Sequence, residues 1–187
     1  MKAHPSKIEH ILFIQGGGDG GYETDKKMVA SLQSKLGPGF VIHYPEIKPD
    51  LDAPDYGWLG QIGAKIRHMP GHFILVAHSF GASMTLKYLS EDSTSKVVKG
   101  VFLISTPLWG GNEDWAQGIK LREGFSRHLP ETVPFFFYHA IDDGEVPFSH
   151  FESYRKKLPT AVFRKVEHGG HQINNDLSLV AKDIMNL

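Results

Sequence analysis

The chain has 187 residues, 41% hydrophobic and 22% charged, and its 20 lysines and arginines against 21 aspartates and glutamates leave a net charge of −1. At roughly 150 residues per domain, this length makes one domain, 1–187, and a charge so balanced excludes both a phosphate-neutralising nucleic-acid binder and a self-repelling disordered chain. With no cysteine, a disulfide framework, a thiolate zinc site and a cysteine nucleophile are excluded as well.

The opening Met1 to Lys7 is polar, and the first apolar run, 11–14, is shorter than a signal-peptide core. No run approaches the roughly 18 apolar residues of a membrane span. A cytoplasmic protein with no membrane partner is the expectation.

Short runs rich in Val, Ile and Phe alternate with longer segments of helical spacing, the pattern of buried parallel strands joined by helical crossovers. The first strand, 11–15, runs into Gln15-Gly16-Gly17-Gly18-Asp19-Gly20-Gly21, followed by a helix over 24–36. A strand over 40–44 and a helix over 57–68 come next. The third strand, 73–77, continues as His78-Ser79-Phe80-Gly81-Ala82-Ser83 ahead of a helix over 82–89. After a fourth strand, 101–105, the stretch 106–131 carries Trp109, Gly110, Gly111, Trp115 and a short amphipathic piece around 119–125. It is too long for an ordinary connection and is expected to form a small cap-like excursion over one end of the sheet. A fifth strand, 134–139, leads into Ile141-Asp142-Asp143-Gly144-Glu145-Val146-Pro147 and a helix over 148–158; a sixth, 161–166, leads into Glu167-His168-Gly169-Gly170-His171-Gln172. In the last helix, 177–185, Leu177, Val180 and Ile184 share a face. Right-handed crossovers place helices on both sides of such a sheet. The fold class is therefore α/β, a three-layer α/β/α sandwich with a mostly parallel sheet of about six strands.

Three loops at the C-terminal ends of separate strands carry reactive side chains, on the rim where open parallel sheets bind ligands. Ser79 follows a buried strand directly, and Gly81 leaves room for a tight turn into a helix whose N-terminus favours a developing oxyanion. An ordinary turn with a capping serine is the bland alternative. His78 is adjacent to Ser79 and faces another way on such a turn, so it is read as structural. Asp143-Gly144 also suits a plain turn, with Asp142 the second candidate acid. His168 and His171, with His139 and Asp142, are possible metal ligands, but no shared helix spacing converges three of them and no metal is expected.

The first loop also fits GxGxxG through Gly16, Gly18 and Gly21, a dinucleotide-binding pattern, with Glu46 as a ribose acid later than the usual spacing of about 20 residues. Asp19 counts against it, because it sets a carboxylate beside the pyrophosphate.

Taken together, Ala77-His78-Ser79-Phe80-Gly81 resembles the nucleophile elbow GxSxG of the α/β-hydrolase superfamily, with alanine at the first glycine position. The order Ser79, Asp143, His171 is the order of that superfamily's triad. The likeness extends over nearly the whole chain and is to a compact, single-domain, carboxylesterase-like serine hydrolase. It implies Ser79 as nucleophile, His171 as base and Asp143 as the acid that orients it. It implies an oxyanion hole from the N–H groups of Phe80 and Gly17, with Gly16 or Gly18 as alternatives to the latter. It further implies a small ester substrate, an acyl-enzyme and no cofactor. Gly16, Gly18, Tyr22, Trp109 and Trp115 are the candidate substrate-pocket residues, with Phe125 another aromatic candidate. A non-catalytic binding protein on the same scaffold is the alternative; oligomeric state is left open.

Overall fold

A computed structural model describes residues 8–92 and 98–187; the polar opening, 1–7, lies outside the described residues. All six expected strands form: β1 (Glu9–Ile14), β2 (Phe40–His43), β3 (Phe73–His78), β4 (Val98–Ile104), β5 (Phe135–Ala140) and β6 (Val162–Val166). They make one sheet in the order β2-β1-β3-β4-β5-β6, and every neighbouring pair is parallel. The central strands are apolar in continuous runs because both faces are covered. Phe73 to Ala77 of β3 are all buried, and so are Val101 to Ile104 of β4. The edges are short or polar. β2 has four residues, and β6 exposes Arg164 and Lys165, which discourages pairing with another chain.

Alternate residues of each strand feed two cores. Ile11, Phe13, Ile74, Val76 and Phe102 pack beneath α1 (Gly21–Leu36) and the last helix. Leu12, Ile14, Leu75 and Leu103 pack against α2 (Trp58–His68), α3 (Ser79–Glu91) and the helix that follows β5. These last helices are α5 (Phe148–Lys157) and α6 (Ser178–Met185), the intervening α4 (Asp114–Gln117) being a single turn. The product is the three-layer sandwich expected from the sequence.

Two helices start earlier than their apolar spacing indicates, because backbone conformation begins them. α1 starts at Gly21, after Gly20 at φ 82°, and α3 starts at Ser79 with no loop between it and β3. Within 106–131 the amphipathic piece around 119–125 is not a helix. Gly118 lies so close to the Pro54 carbonyl that a side chain there would clash, and Gly124 takes φ 69°. Ala116, Ile119, Phe125 and Leu129 from this stretch are nevertheless buried, within the α2–α3–α5 core. Among the described residues, no helix is long and apolar enough to cross a membrane.

The order of strands puts a crevice between β1 and β3, whose crossovers leave in opposite directions. Close approach there depends on Gly81: a side chain on it would collide with the Gln15 carbonyl and with Ile14 at the end of β1. Gly81→Ala is accordingly expected to lower the unfolding free energy by about 2 kcal/mol or more, as overpacked cores do. Gly60→Ala, on α2 with open space around it, should instead be neutral or stabilising by up to about 1 kcal/mol. Urea denaturation of the two variants tests the contrast.

Candidate active site

At the end of β3 the chain turns straight into α3, and the turning residue is Ser79, at φ 51°. A non-glycine residue in this left-handed region costs on the order of 1–3 kcal/mol and persists only where the surroundings enforce it. The enforcement here is the packed pair β3–α3 with Gly81 against β1. The turn frees the Ser79 hydroxyl, which lies 2.9 Å from Nε2 of His171. The first-turn N–H groups of α3, that of Phe80 among them, have no carbonyl of their own helix to bond.

His171 comes from the loop after β6, and its Nδ1 lies 2.9 Å and 3.1 Å from the two carboxylate oxygens of Asp143 in the loop after β5. Asp143 is buried and also accepts the N–H groups of Glu145 and Val146, each at 2.9 Å. Burial pushes its carboxyl up, but the hydrogen bond from His171 and those two N–H groups outweigh it and hold the pKa at about 2. The two neighbouring aspartates thus divide the work. Asp142 points away from the imidazole and accepts the N–H groups of Gly169 and Gly170, both at 2.9 Å, which fixes the loop that carries His171. Those backbone bonds hold its own carboxyl below the usual range.

The remaining histidines have other partners. His78 turns from Ser79, as its position on the turn implies: Nδ1 bonds Asp25 at 2.9 Å and Nε2 bonds the His171 carbonyl at 3.1 Å. His139 is buried against the Val146 carbonyl, burial pushing its pKa down, and His168 is exposed. Among the described residues, no group of three His, Asp or Glu is arranged to hold a metal ion.

The glycine loop after β1 runs alongside the elbow. The N–H of Gly16 is bonded to Asp25 at 2.7 Å, and Gly17 is pressed against Phe80, where an added Cβ would come within 2.9 Å of the Phe80 Cβ. Asp25 therefore holds a carboxylate under the loop, and Asp19 another within it, where a dinucleotide pyrophosphate would lie. Gln15 anchors the neighbouring strand connection, its Oε1 accepting the Ile47 N–H at 2.9 Å.

A cavity of about 440 Å³ opens at Ser79, Phe80 and His171. Its apolar wall includes Ile47, Tyr56, Trp58, Pro107, Trp109 and Val146, with Glu145 and Asp19 as its carboxylates. Of the expected pocket residues, Gly18 and Trp109 line it, and Gly16 lines a smaller adjoining cavity of about 290 Å³ that also reaches Ser79. Tyr22 and Trp115 line neither. Tyr22 stacks on Tyr44 at 4.6 Å and exchanges hydroxyl-to-carbonyl hydrogen bonds with it, while Trp115 packs edge-on behind Trp109. Phe125 is core, edge-on to Tyr154. Sequence reasoning missed Tyr56, from the irregular stretch before α2, and Trp58, the first residue of α2, where no motif marks them. It also missed Ser83, whose hydroxyl accepts the Trp109 indole N–H at 3.1 Å and sets that ring in the wall. A cavity of about 480 Å³ at the opposite, N-terminal ends of β5 and β6 contains none of these groups.

The depressed Asp143 pKa fixes a stability profile. Its carboxyl titrates at about 2 when folded and about 4 when unfolded, so its contribution is complete above about pH 4 and lost as pH falls through about 2. Chemical denaturation across this window should show an acid loss of about 2 kcal/mol that is absent from Asp143→Asn.

The sequence pattern of the serine hydrolase family matches residues 41–179, a span that includes Ser79, Asp143 and His171. No curated protein sequence matches the chain. Solved structures of similar fold include the esterase domain of a Rhodothermus marinus protein, at 15% identity over 96% of this chain and 85% of that one, with a TM-score of 0.67. Est1E from Butyrivibrio proteoclasticus is 16% identical over 99% of this chain and 88% of its own, with a TM-score of 0.66. The ydeN gene product of B. subtilis is 18% identical over 96% and 97%, with a TM-score of 0.68. With the family pattern spanning more than half of its length, the chain belongs to the serine hydrolase family, and its parallel sheet has the α/β-hydrolase fold of the solved structures.

Proposed function

We propose that the protein hydrolyses small carboxylic esters through a covalent acyl-enzyme, with Ser79, His171 and Asp143 as its triad. The observation that carries the proposal is the unbroken chain of hydrogen bonds from the Ser79 hydroxyl through the imidazole to a buried carboxylate, 2.9 Å at each link. A serine hydroxyl is a weak nucleophile until an adjacent base takes its proton. With Nδ1–H donated to Asp143, Nε2 of His171 carries the lone pair that accepts the Ser79 proton. As the Ser79 oxygen bonds the ester carbon, the carbonyl electrons move to oxygen. The N–H of Phe80 is one donor for that charge and that of Gly17 the other, with Gly18 its alternative, since the N–H of Gly16 is held by Asp25. Collapse of the tetrahedral species breaks the bond to the alkoxy group, which leaves with the proton from Nε2. Water then repeats the sequence on the acyl-enzyme and releases the acid. Asp143 stays ionised and stabilises the imidazolium formed in each half-reaction. No step calls for a cofactor.

The apolar cavity supports an acyl or alcohol group of modest size as the portion held beside Ser79. Thioesters and amides are the less favoured variants of the same chemistry, the amide because its amine leaves less readily.

A fluorophosphonate probe should label wild-type protein at Ser79, and p-nitrophenyl esters of increasing acyl length should be turned over with an optimum among the shorter chains. Ser79→Ala and His171→Ala are each expected to lower kcat by about 10⁴-fold or more. Absence of labelling, or turnover surviving Ser79→Ala, overturns the proposal and leaves a binding protein on a hydrolase scaffold. Trp109→Ala, which removes one wall of the cavity, should move the optimum to longer acyl chains with kcat changed by less than about 10-fold.

A further inference from the structure

Beneath the triad lies a second Asp–His pair that takes no part in the chemistry above. Asp25 belongs to the apolar stripe of α1, in series with Met28, Leu32 and Leu36, and its side chain is 2% exposed. A carboxylate on the buried face of a helix needs a partner, and His78, also 2% exposed, supplies it. One oxygen of Asp25 accepts both the His78 Nδ1–H at 2.9 Å and the Gly16 N–H at 2.7 Å. On its other side His78 Nε2 donates to the carbonyl oxygen of His171 at 3.1 Å, and the Ser105 hydroxyl donates to that same oxygen at 2.7 Å. The two ring nitrogens of His78 thus face two oxygens, the Asp25 carboxyl and the His171 carbonyl, on opposite sides of the ring. The two imidazoles stand 4.7 Å apart, centre to centre, so His78 also backs the ring of the base.

The pair therefore touches two loops that come from opposite sides of the crevice. Through Gly16 it holds the residue next to the oxyanion donor Gly17. Through the His171 carbonyl it holds the backbone of the base. We infer that Asp25 and His78 are positioning residues that set the distance between the oxyanion loop and the base, an inference that rests on the triad reading given above. Positioning of this kind acts on the transition state, where about 1 Å of misplacement costs on the order of 100-fold in rate, and leaves the apolar substrate contacts alone. The signature is a loss in kcat with KM preserved.

Isosteres separate the two arms. In His78→Asn the side-chain amide reaches the place of Nδ1 and keeps Asp25 but loses the His171 carbonyl; in His78→Gln it reaches the place of Nε2 and keeps the carbonyl but loses Asp25. Asp25→Asn removes the charge that both donors share. Each variant is titrated with the fluorophosphonate, so that kcat is expressed per reactive site, and its Tm is recorded. His78→Asn and Asp25→Asn are expected to lose about 10- to 100-fold in kcat with KM within about threefold of wild type. His78→Gln should recover part of the His78→Asn loss, and the Asp25→Asn/His78→Asn double variant should be no worse than the worse single one, because both break one network. Ser105→Ala deletes a single oxygen, the other donor to the carbonyl, and should lower kcat in the same sense by a smaller factor. Variants that are folded and titratable, with lowered Tm but kcat within about twofold of wild type, overturn the inference and reduce the pair to core packing. If the His78 variants do not fold, wild-type kcat in both Asp25→Asn and Ser105→Ala overturns it equally. Turnover surviving Ser79→Ala is a separate outcome, which removes the triad reading on which the inference is built.

Discussion

β3 passes into α3 without a loop, and the passage is possible only while Ser79 holds a left-handed backbone that its side chain disfavours. The strain has to be opposed by packing, and the surrounding fold supplies it. β3 is buried over its whole length, α3 is buried over almost all of its own, and Gly81 lets α3 lie on the end of β1. The same contact brings the glycine loop beside the serine, since that loop is the continuation of β1. One steric relation, α3 against the β1 terminus, thus sets both the exposed hydroxyl and its neighbouring amide groups.

The other reactive groups arrive on loops, which are free to move unless they are tied. Asp143 is tied by two backbone N–H groups of its own turn, a local device that keeps its carboxylate ionised and aimed. The His171 loop is closed locally by the Asn174 N–H on the Gly169 carbonyl at 2.7 Å and is tied from outside as well. Asp142 takes two of its N–H groups, and Ser105 and His78 both donate to the His171 carbonyl. Ser105, like Ser79, is a left-handed residue at the end of a central strand, at φ 49°. Strained strand ends therefore recur where the sheet must present a hydroxyl upward.

Much of this was legible in the sequence, for identifiable reasons. Continuous apolar runs are diagnostic of strands covered on both faces and locate the central strands; Ser79 follows β3 directly, while Asp143 and His171 fall in short loops after β5 and β6. Helix starts at Gly21 and Ser79 were less legible, because they depend on backbone angles rather than apolar spacing. The pocket walls were legible only in part. Tyr22, Trp115 and Phe125 are aromatic residues near the right loops, yet each is occupied with another ring, whereas Tyr56 enters from a stretch with no periodicity and Trp58 from the very start of α2. Composition marks an aromatic residue as a candidate wall; only the path of the chain decides which of its faces meets the cavity. Asp25 offered one signal that went unread, a carboxylate on an apolar stripe, which is costly unless something buried requires it.

Two Asp–His pairs stand side by side in this molecule, 4.7 Å between their rings, and their chemistry differs through what the far nitrogen faces. In the Asp143–His171 pair, Nε2 meets a hydroxyl, which can donate, so the nitrogen can hold a lone pair and receive a proton. In the Asp25–His78 pair, Nε2 meets a carbonyl oxygen, which can only accept, so that nitrogen faces no proton donor. The first arrangement is poised for transfer and the second for rigidity. The acceptor met by the second pair is the carbonyl of His171 itself, so that pair holds the backbone that carries the first. In the proposed mechanism His171 needs a fixed backbone from which its ring reaches Ser79, and the Asp25–His78 pair, built from the same two residue types as the proposed base and its acid, is placed to supply it.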